Sequence, residues 1–111
     1  MKKVVAIDID GILTRDKPTL DWENSTPRNY LEIYRHAQPN KENISFVNSI
    51  DRAIYEIVIY TARDEYFRDV TERWLKRCGV NYDRVHFNKL FYHTILDDCS
   101  ANNIKDLEKL L

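Results

Sequence analysis

With only two glycines in 111 residues, this chain has no glycine-rich phosphate loop. Any phosphate it binds must be met by side chains, strand-end amides and metal. Cysteine is equally scarce. Cys78 and Cys99 lack metal-ligand spacing and, with no secretion signal, read as reduced thiols of a cytoplasmic protein. Met1-Lys2-Lys3 opens the chain, but Asp8 interrupts the following apolar stretch too early for a signal peptide. No apolar run approaches membrane-spanning length. Neither sign of charge dominates: 17 Lys and Arg stand against 18 Asp and Glu, with no basic run of the kind that grips a nucleic acid. Repeats and low-complexity segments are absent. What is left is one small cytoplasmic domain over 1–111, expected to meet a small molecule rather than a nucleic acid or a membrane.

What is present is an alternation of short apolar runs and amphipathic stretches. Val4–Ile7 has the length and composition of a strand buried on both faces, as in a parallel sheet. It ends in Asp8 and Asp10, and Gly11 lets the backbone turn away sharply. A polar excursion follows, a flap or minimal cap over about 14–41, carrying Pro18, Trp22 and Pro27. Within it Thr26-Pro27 caps and starts a helix through Tyr30, Leu31 and Tyr34. From Glu42 to Ile54, Phe46, Val47, Ile50 and Ile54 fall on one helical stripe. Ile57–Tyr60 is a second apolar strand, ending at Thr61. Asp64 then caps a helix whose inner face is Tyr66, Phe67, Val70, Trp74, Leu75 and Cys78, and Gly79 stops it. Arg84–Phe87 is a weaker strand leading to Asn88-Lys89. Tyr92–Leu96 is another, leading to Asp97-Asp98. A last helix from about Asn103 directs Ile104, Leu107, Leu110 and Leu111 inward. The pattern defines an α/β fold with a mainly parallel sheet flanked by helices.

Every one of these strands ends in a side chain suited to phosphoryl chemistry, and parallel strands bring their carboxyl ends to one edge of the sheet. Cleaving a phosphate ester needs an in-line nucleophile, a proton donor for the leaving oxygen and positive charge around the phosphoryl oxygens. One aspartate can be the nucleophile and a second the acid and base. Mg²⁺ would offset their mutual repulsion, and a lysine and a hydroxyl complete the cradle. Taken singly, Thr61 reads as a strand-end hydroxyl, Lys89 as a solvated lysine and Asp97-Asp98 as partners of a helix dipole. Arg63 is placed either to meet a second anionic group of a substrate or to make a helix-start salt bridge. His36, His86 and His93 have no partner spacing for a metal, and Cys99 reads as buried rather than nucleophilic.

In this order the motifs resemble those of the haloacid dehalogenase (HAD) superfamily. Asp8-Ile9-Asp10-Gly11-Ile12-Leu13-Thr14 is similar to the first motif, Thr61 to the second, Lys89 to the third and Asp97-Asp98 to the fourth. The resemblance implies a Rossmann-like HAD core and a Mg²⁺-dependent phosphomonoester hydrolase. Asp8 would be nucleophile and metal ligand. Asp10 would be the acid and base, lending its backbone carbonyl to the metal. Gly11, Thr61, Ala62 and Lys89 would hold the phosphoryl group, with Lys89 also neutralising charge on Asp8. Asp98 would be a metal ligand and Asp97 would orient Lys89. Asp10 favours a phosphatase, since the dehalogenases of the superfamily lack this second aspartate. Tyr34-Arg-His-Ala-Gln-Pro39, Ile-Tyr-Thr-Ala-Arg and the Asp-Asp ending resemble small capless members linked to capsule or polysaccharide biosynthesis, which implies a sugar phosphate or related metabolite. Alternatives are a phosphotransferase and a non-catalytic module that binds a phosphorylated ligand. An uncapped site also implies a homo-oligomer, with Trp22, Tyr30 and Tyr34 at a subunit contact, unless these aromatics fold back on their own domain.

Overall fold

A computed structural model describes residues 2–17, 25–89 and 104–111. Along the chain run β1 (Lys3–Ile7), α1 (Pro27–Arg35), α2 (Lys41–Ser49), β2 (Tyr55–Tyr60), a 3₁₀ turn (Glu65–Phe67), α3 (Arg68–Arg77), β3 (Arg84–His86) and α4 (Ile104–Leu110). The described strands form one sheet in the order β1-β2-β3, and both pairings are parallel. Val5 sits opposite Ile57, Ile7 opposite Ile59, and Ile59 opposite Val85. This register puts the carboxyl ends of all three strands on the same edge.

The core explains the register. Val5 and Ile7 of β1, Ile57 and Ile59 of β2, Ile44 and Val47 of α2, and Trp74 and Leu75 of α3 share one apolar cluster. Each fully buried Ile or Leu there contributes about 1.5–3 kcal/mol, so a one-residue slip of β1, turning its apolar set outward, would forfeit several kcal/mol. β2, in the middle, is buried on both faces at Ile57, Val58 and Ile59. β1 is not, contrary to expectation: Val4 and Ala6 are exposed and only Val5 and Ile7 are covered. An alternating strand shows each face to a different side, and among the described residues only one side of β1 meets the core.

Helix ends follow the local chemistry. The Thr26 hydroxyl accepts the Asn29 amide at the start of α1, with Pro27 at the first helical position, and the Asn40 side chain accepts the Asn43 amide at the start of α2. Past α3, Gly79 adopts φ +73°, its amide donates to the Lys76 carbonyl and the Val80 amide donates to the Leu75 carbonyl. That pair of bonds satisfies carbonyls the helix itself cannot reach. Three helical faces depart from the sequence expectation. α2 stops at Ser49, because the Asp51 side chain accepts the Ala53 amide and its carbonyl collects the Ile54 and Tyr55 amides, so Ile54 sits in a turn and is exposed. Tyr66 lies in the 3₁₀ turn ahead of α3 and is 66% exposed. Of the four apolar residues expected to point inward at the last helix, Ile104 and Leu107 are half-buried, and Leu110 and Leu111 remain exposed.

The 14–41 excursion contains a docked helix. It leaves and returns through a bridge between Thr14 and Pro39, with the Arg15 amide on the Gln38 carbonyl and the Asn40 amide on the Leu13 carbonyl, each 2.8 Å. In between, α1 buries Tyr30 and Tyr34 against Val70 and Phe67. These two aromatics thus fold back on their own domain, the alternative to a subunit contact; Trp22 falls outside the described residues. So do the Tyr92–Leu96 strand, His93, Asp97, Asp98 and Cys99. Among the described residues no helix is long and apolar enough to cross a membrane.

Candidate functional site

The turn after β1 determines where the two first aspartates stand. Ile9 and Leu13 are completely buried, and the Ile9 carbonyl accepts three amides in succession: Ile12 at 3.2 Å, Leu13 at 2.8 Å and Thr14 at 3.1 Å. Gly11 enters this turn at φ +85°, a region costly for any residue with a Cβ. The buried Thr14 hydroxyl accepts the Gly11 amide at 2.9 Å and donates to the Asp16 carbonyl at 2.8 Å. The Asn43 amide group of α2 donates to the Ile12 carbonyl. With Ile9 pinned inward, Asp8 and Asp10 leave the backbone on either side of it.

Asp8 faces Lys89. The ammonium lies 3.0 Å from Asp8 Oδ2, with 35% of the aspartate side chain and 20% of the lysine exposed. Asp8 Oδ1 accepts the Ile9 amide at 2.8 Å. Lys89 reaches this place because the loops after β2 and β3 are stitched together. The Thr61 amide donates to the His86 carbonyl, the Lys89 amide to the Thr61 carbonyl, and the Asn88 amide, from a residue at φ +60°, to the Arg63 carbonyl. Nζ also lies 3.5 Å from the Tyr60 carbonyl. Residues over eighty positions apart in sequence thus meet at the sheet edge.

Thr61 is fully buried beside them. Its hydroxyl accepts the Arg63 amide at 3.1 Å, which leaves the hydroxyl proton for another acceptor. The Ala62 amide has no hydrogen-bond partner among the described residues and is half-buried at the same edge.

Asp10 has a different partner, which sequence reasoning did not pair with it. The Arg63 guanidinium is only 3% exposed and grips both carboxylate oxygens of Asp10, Nε to Oδ2 at 3.0 Å and Nη2 to Oδ1 at 2.7 Å. Nη1 donates to the Thr71 hydroxyl at 3.1 Å, and the guanidinium lies 3.7 Å from the centre of the Tyr34 ring. Burial pushes the Tyr34 phenol up to about 12; Arg63 works against that rise and Asp10 adds to it, so the ring over the guanidinium stays neutral at physiological pH. The protein anion that Arg63 meets is therefore Asp10, 53 positions away, and not an acid at the start of the following helix. The usable signal was an arginine three residues past the end of β2 in a chain whose first motif carries two carboxylates.

The donors suit a hard cation in type. The Asp8 carboxylate and the Asp10 backbone carbonyl, which accepts no hydrogen bond from the described residues, are oxygen ligands of the sort Mg²⁺ takes. The Asp10 carboxylate is already held by Arg63. Among the described residues no cluster of three His, Cys, Asp or Glu could hold a metal, and Asp97 and Asp98 lie outside them. The described histidines belong elsewhere. His36 is exposed beside Glu32, and His86 packs on Tyr60 with ring centres 5.0 Å apart. Cys78 is a free thiol whose pKa burial raises.

No family model matches the sequence, and no curated protein does either. Solved structures do. A Vibrio cholerae target protein, known from a crystal structure, is similar with a TM-score of 0.64 and 22% identity over 97% of this chain and 95% of that one. A chain of the Pnkp1/Rnl/Hen1 complex is similar with a TM-score of 0.58 and 20% identity, covering 96% of this chain but only 32% of that one. At these identities the likeness establishes the fold: a small α/β domain with a parallel sheet and flanking helices, consistent with a Rossmann-like arrangement.

Proposed function

We propose that this chain is a Mg²⁺-dependent phosphomonoester hydrolase with a HAD-type core, acting through an aspartyl-phosphate on Asp8, with a sugar phosphate or related cytoplasmic metabolite as substrate. The observation that carries the reading is the 3.0 Å pairing of Asp8 with Lys89 at an edge shared with Thr61 and Asp10. An Asp8 oxygen attacks phosphorus while the bond to the ester oxygen breaks, and Asp10 gives that oxygen its proton. Water then attacks the phosphorus of the aspartyl-phosphate, Asp10 takes the proton, and the phosphorus–Asp8 bond breaks to release phosphate and regenerate the carboxylate. Lys89 balances charge on the phosphoryl oxygens, and the Thr61 hydroxyl and the Ala62 amide supply neutral donors, while Gly11, its own amide held by the Thr14 hydroxyl, shapes the turn around the phosphoryl group. The Asp8 carboxylate and the Asp10 carbonyl would hold Mg²⁺, with Asp98 as a further ligand and Asp97 orienting Lys89, and the ion would supply charge to offset the clustered acids and phosphate.

Hydrolysis of p-nitrophenyl phosphate with and without Mg²⁺, run beside Asp8→Asn, tests this. Loss of turnover in Asp8→Asn and dependence on Mg²⁺ are expected. Equal turnover in Asp8→Asn would refute the covalent route, because an amide cannot serve as this nucleophile.

A further inference from the structure

Among the described residues, Arg63 is the only charged side chain that is buried. A guanidinium is kept out of water only where its donors and its faces are otherwise met. Here Nε and Nη2 form a fork on Asp10, Nη1 is on Thr71, and the ring of Tyr34 covers the cation. A planar ion held by three bonds and a ring cannot turn, and a bidentate fork transmits that rigidity to the plane of the carboxylate it grips. A carboxylate offers two lone-pair directions on each oxygen, and the fork occupies one on each. The others remain for a proton, and 18% of the Asp10 side chain stays open to the outside.

We propose that Arg63 is a positioning residue for the acid–base step, fixing the Asp10 carboxylate for proton transfer, and that Tyr34 and Thr71 fix Arg63 in turn. The proposal rests on the phosphatase reading and extends it. It gives the inserted helix α1 a role: through Tyr34, it sets the geometry of the acid from behind rather than roofing the site. Proton donation matters in proportion to how basic the departing oxygen is. A p-nitrophenolate leaves almost unaided, whereas a phenolate of similar shape needs the proton more. Mispositioning Asp10 therefore slows phenyl phosphate more than p-nitrophenyl phosphate, while damage to the site at large slows both alike.

The experiment measures kcat/KM for both esters in the native chain, Arg63→Lys, Tyr34→Leu and Asp10→Asn, with circular dichroism to establish folding. General acid catalysis is worth roughly 10²–10⁴-fold, so the ratio of p-nitrophenyl to phenyl phosphate hydrolysis is expected to rise at least about tenfold in Arg63→Lys. Asp10→Asn should show the same signature more strongly, and Tyr34→Leu the same signature more weakly. Where Arg63→Lys does not fold, Tyr34→Leu, which buries no new charge, decides the matter by the same ratio. An unchanged ratio with equal losses on both esters overturns the positioning role and leaves the phosphatase reading standing. A native chain inactive on both esters defeats that reading, and the proposal with it.

Discussion

Replacing Lys89 by Ala separates a catalytic cation from a structural one by magnitude. The ion pair with Asp8 is 3.0 Å long, yet a fifth of the lysine and a third of the aspartate side chain remain in water. Partly exposed pairs of this kind are worth at most about 1 kcal/mol. The other contacts of the ammonium are weak: 3.5 Å to the Tyr60 carbonyl and 5.4 Å to the centre of the Tyr60 ring. The backbone bond from the Lys89 amide to the Thr61 carbonyl survives the substitution. Unfolding free energy should therefore fall by no more than about 1 kcal/mol. A charged donor aimed at developing phosphoryl charge is a different matter, and losing one such group costs about 10²–10³ in rate, or roughly 3–4 kcal/mol of transition-state stabilisation. Urea unfolding and turnover of p-nitrophenyl phosphate, measured on the same preparation, give both numbers. A rate within about fivefold of native would refute the reasoning, since the uncompensated loss of a phosphate-facing cation cannot be that mild. A stability loss several times larger than expected, with a matching fall in rate, would instead mark Lys89 as a structural tie between the loops.

Two further outcomes follow from the geometry. Asp83 accepts the Ile57 amide at 2.7 Å and pairs with Arg52, and these hold its carboxyl below the ordinary range, so its contribution is present above the unfolded value of about 3.9 and is lost as pH falls through the lower folded value; Asp83→Asn should flatten the acid limb of the urea midpoint against pH. Gly79→Ala and Gly11→Ala should each cost about 1–2 kcal/mol in stability, because both glycines sit at positive φ, but only Gly11→Ala should also reduce turnover, since its turn carries Asp8 and Asp10.

How far the sequence could be read depended on whether the governing interaction was local. Strand ends, the Thr26 cap and the Gly79 stop are written in neighbouring residues, and a run such as Ile57–Tyr60 has few alternatives to a buried strand. The meeting of Asp8 with Lys89 follows once the sheet is parallel, because topology alone brings those strand ends together. Periodicity failed where a single side chain outcompeted it: Asp51 ends α2 by taking the Ala53 amide, which strands Ile54 outside a stripe it otherwise completes. Aromatic content failed for a different reason. Tyr30 and Tyr34 look like interface anchors until Phe67 and Val70 of the neighbouring α3 region are placed against them, and nothing in a one-dimensional pattern says which surface will cover a ring. The Arg63–Asp10 fork is the sharpest case. The sequence places Arg63 to meet a substrate anion or a helix-start acid and, by resemblance, Asp10 as acid and base, and no local pattern pairs two residues 53 positions apart. A charge can be buried beside a reaction centre only when its counter-charge comes from the protein, so the most deeply buried cation of such a site belongs with its acid rather than with its substrate.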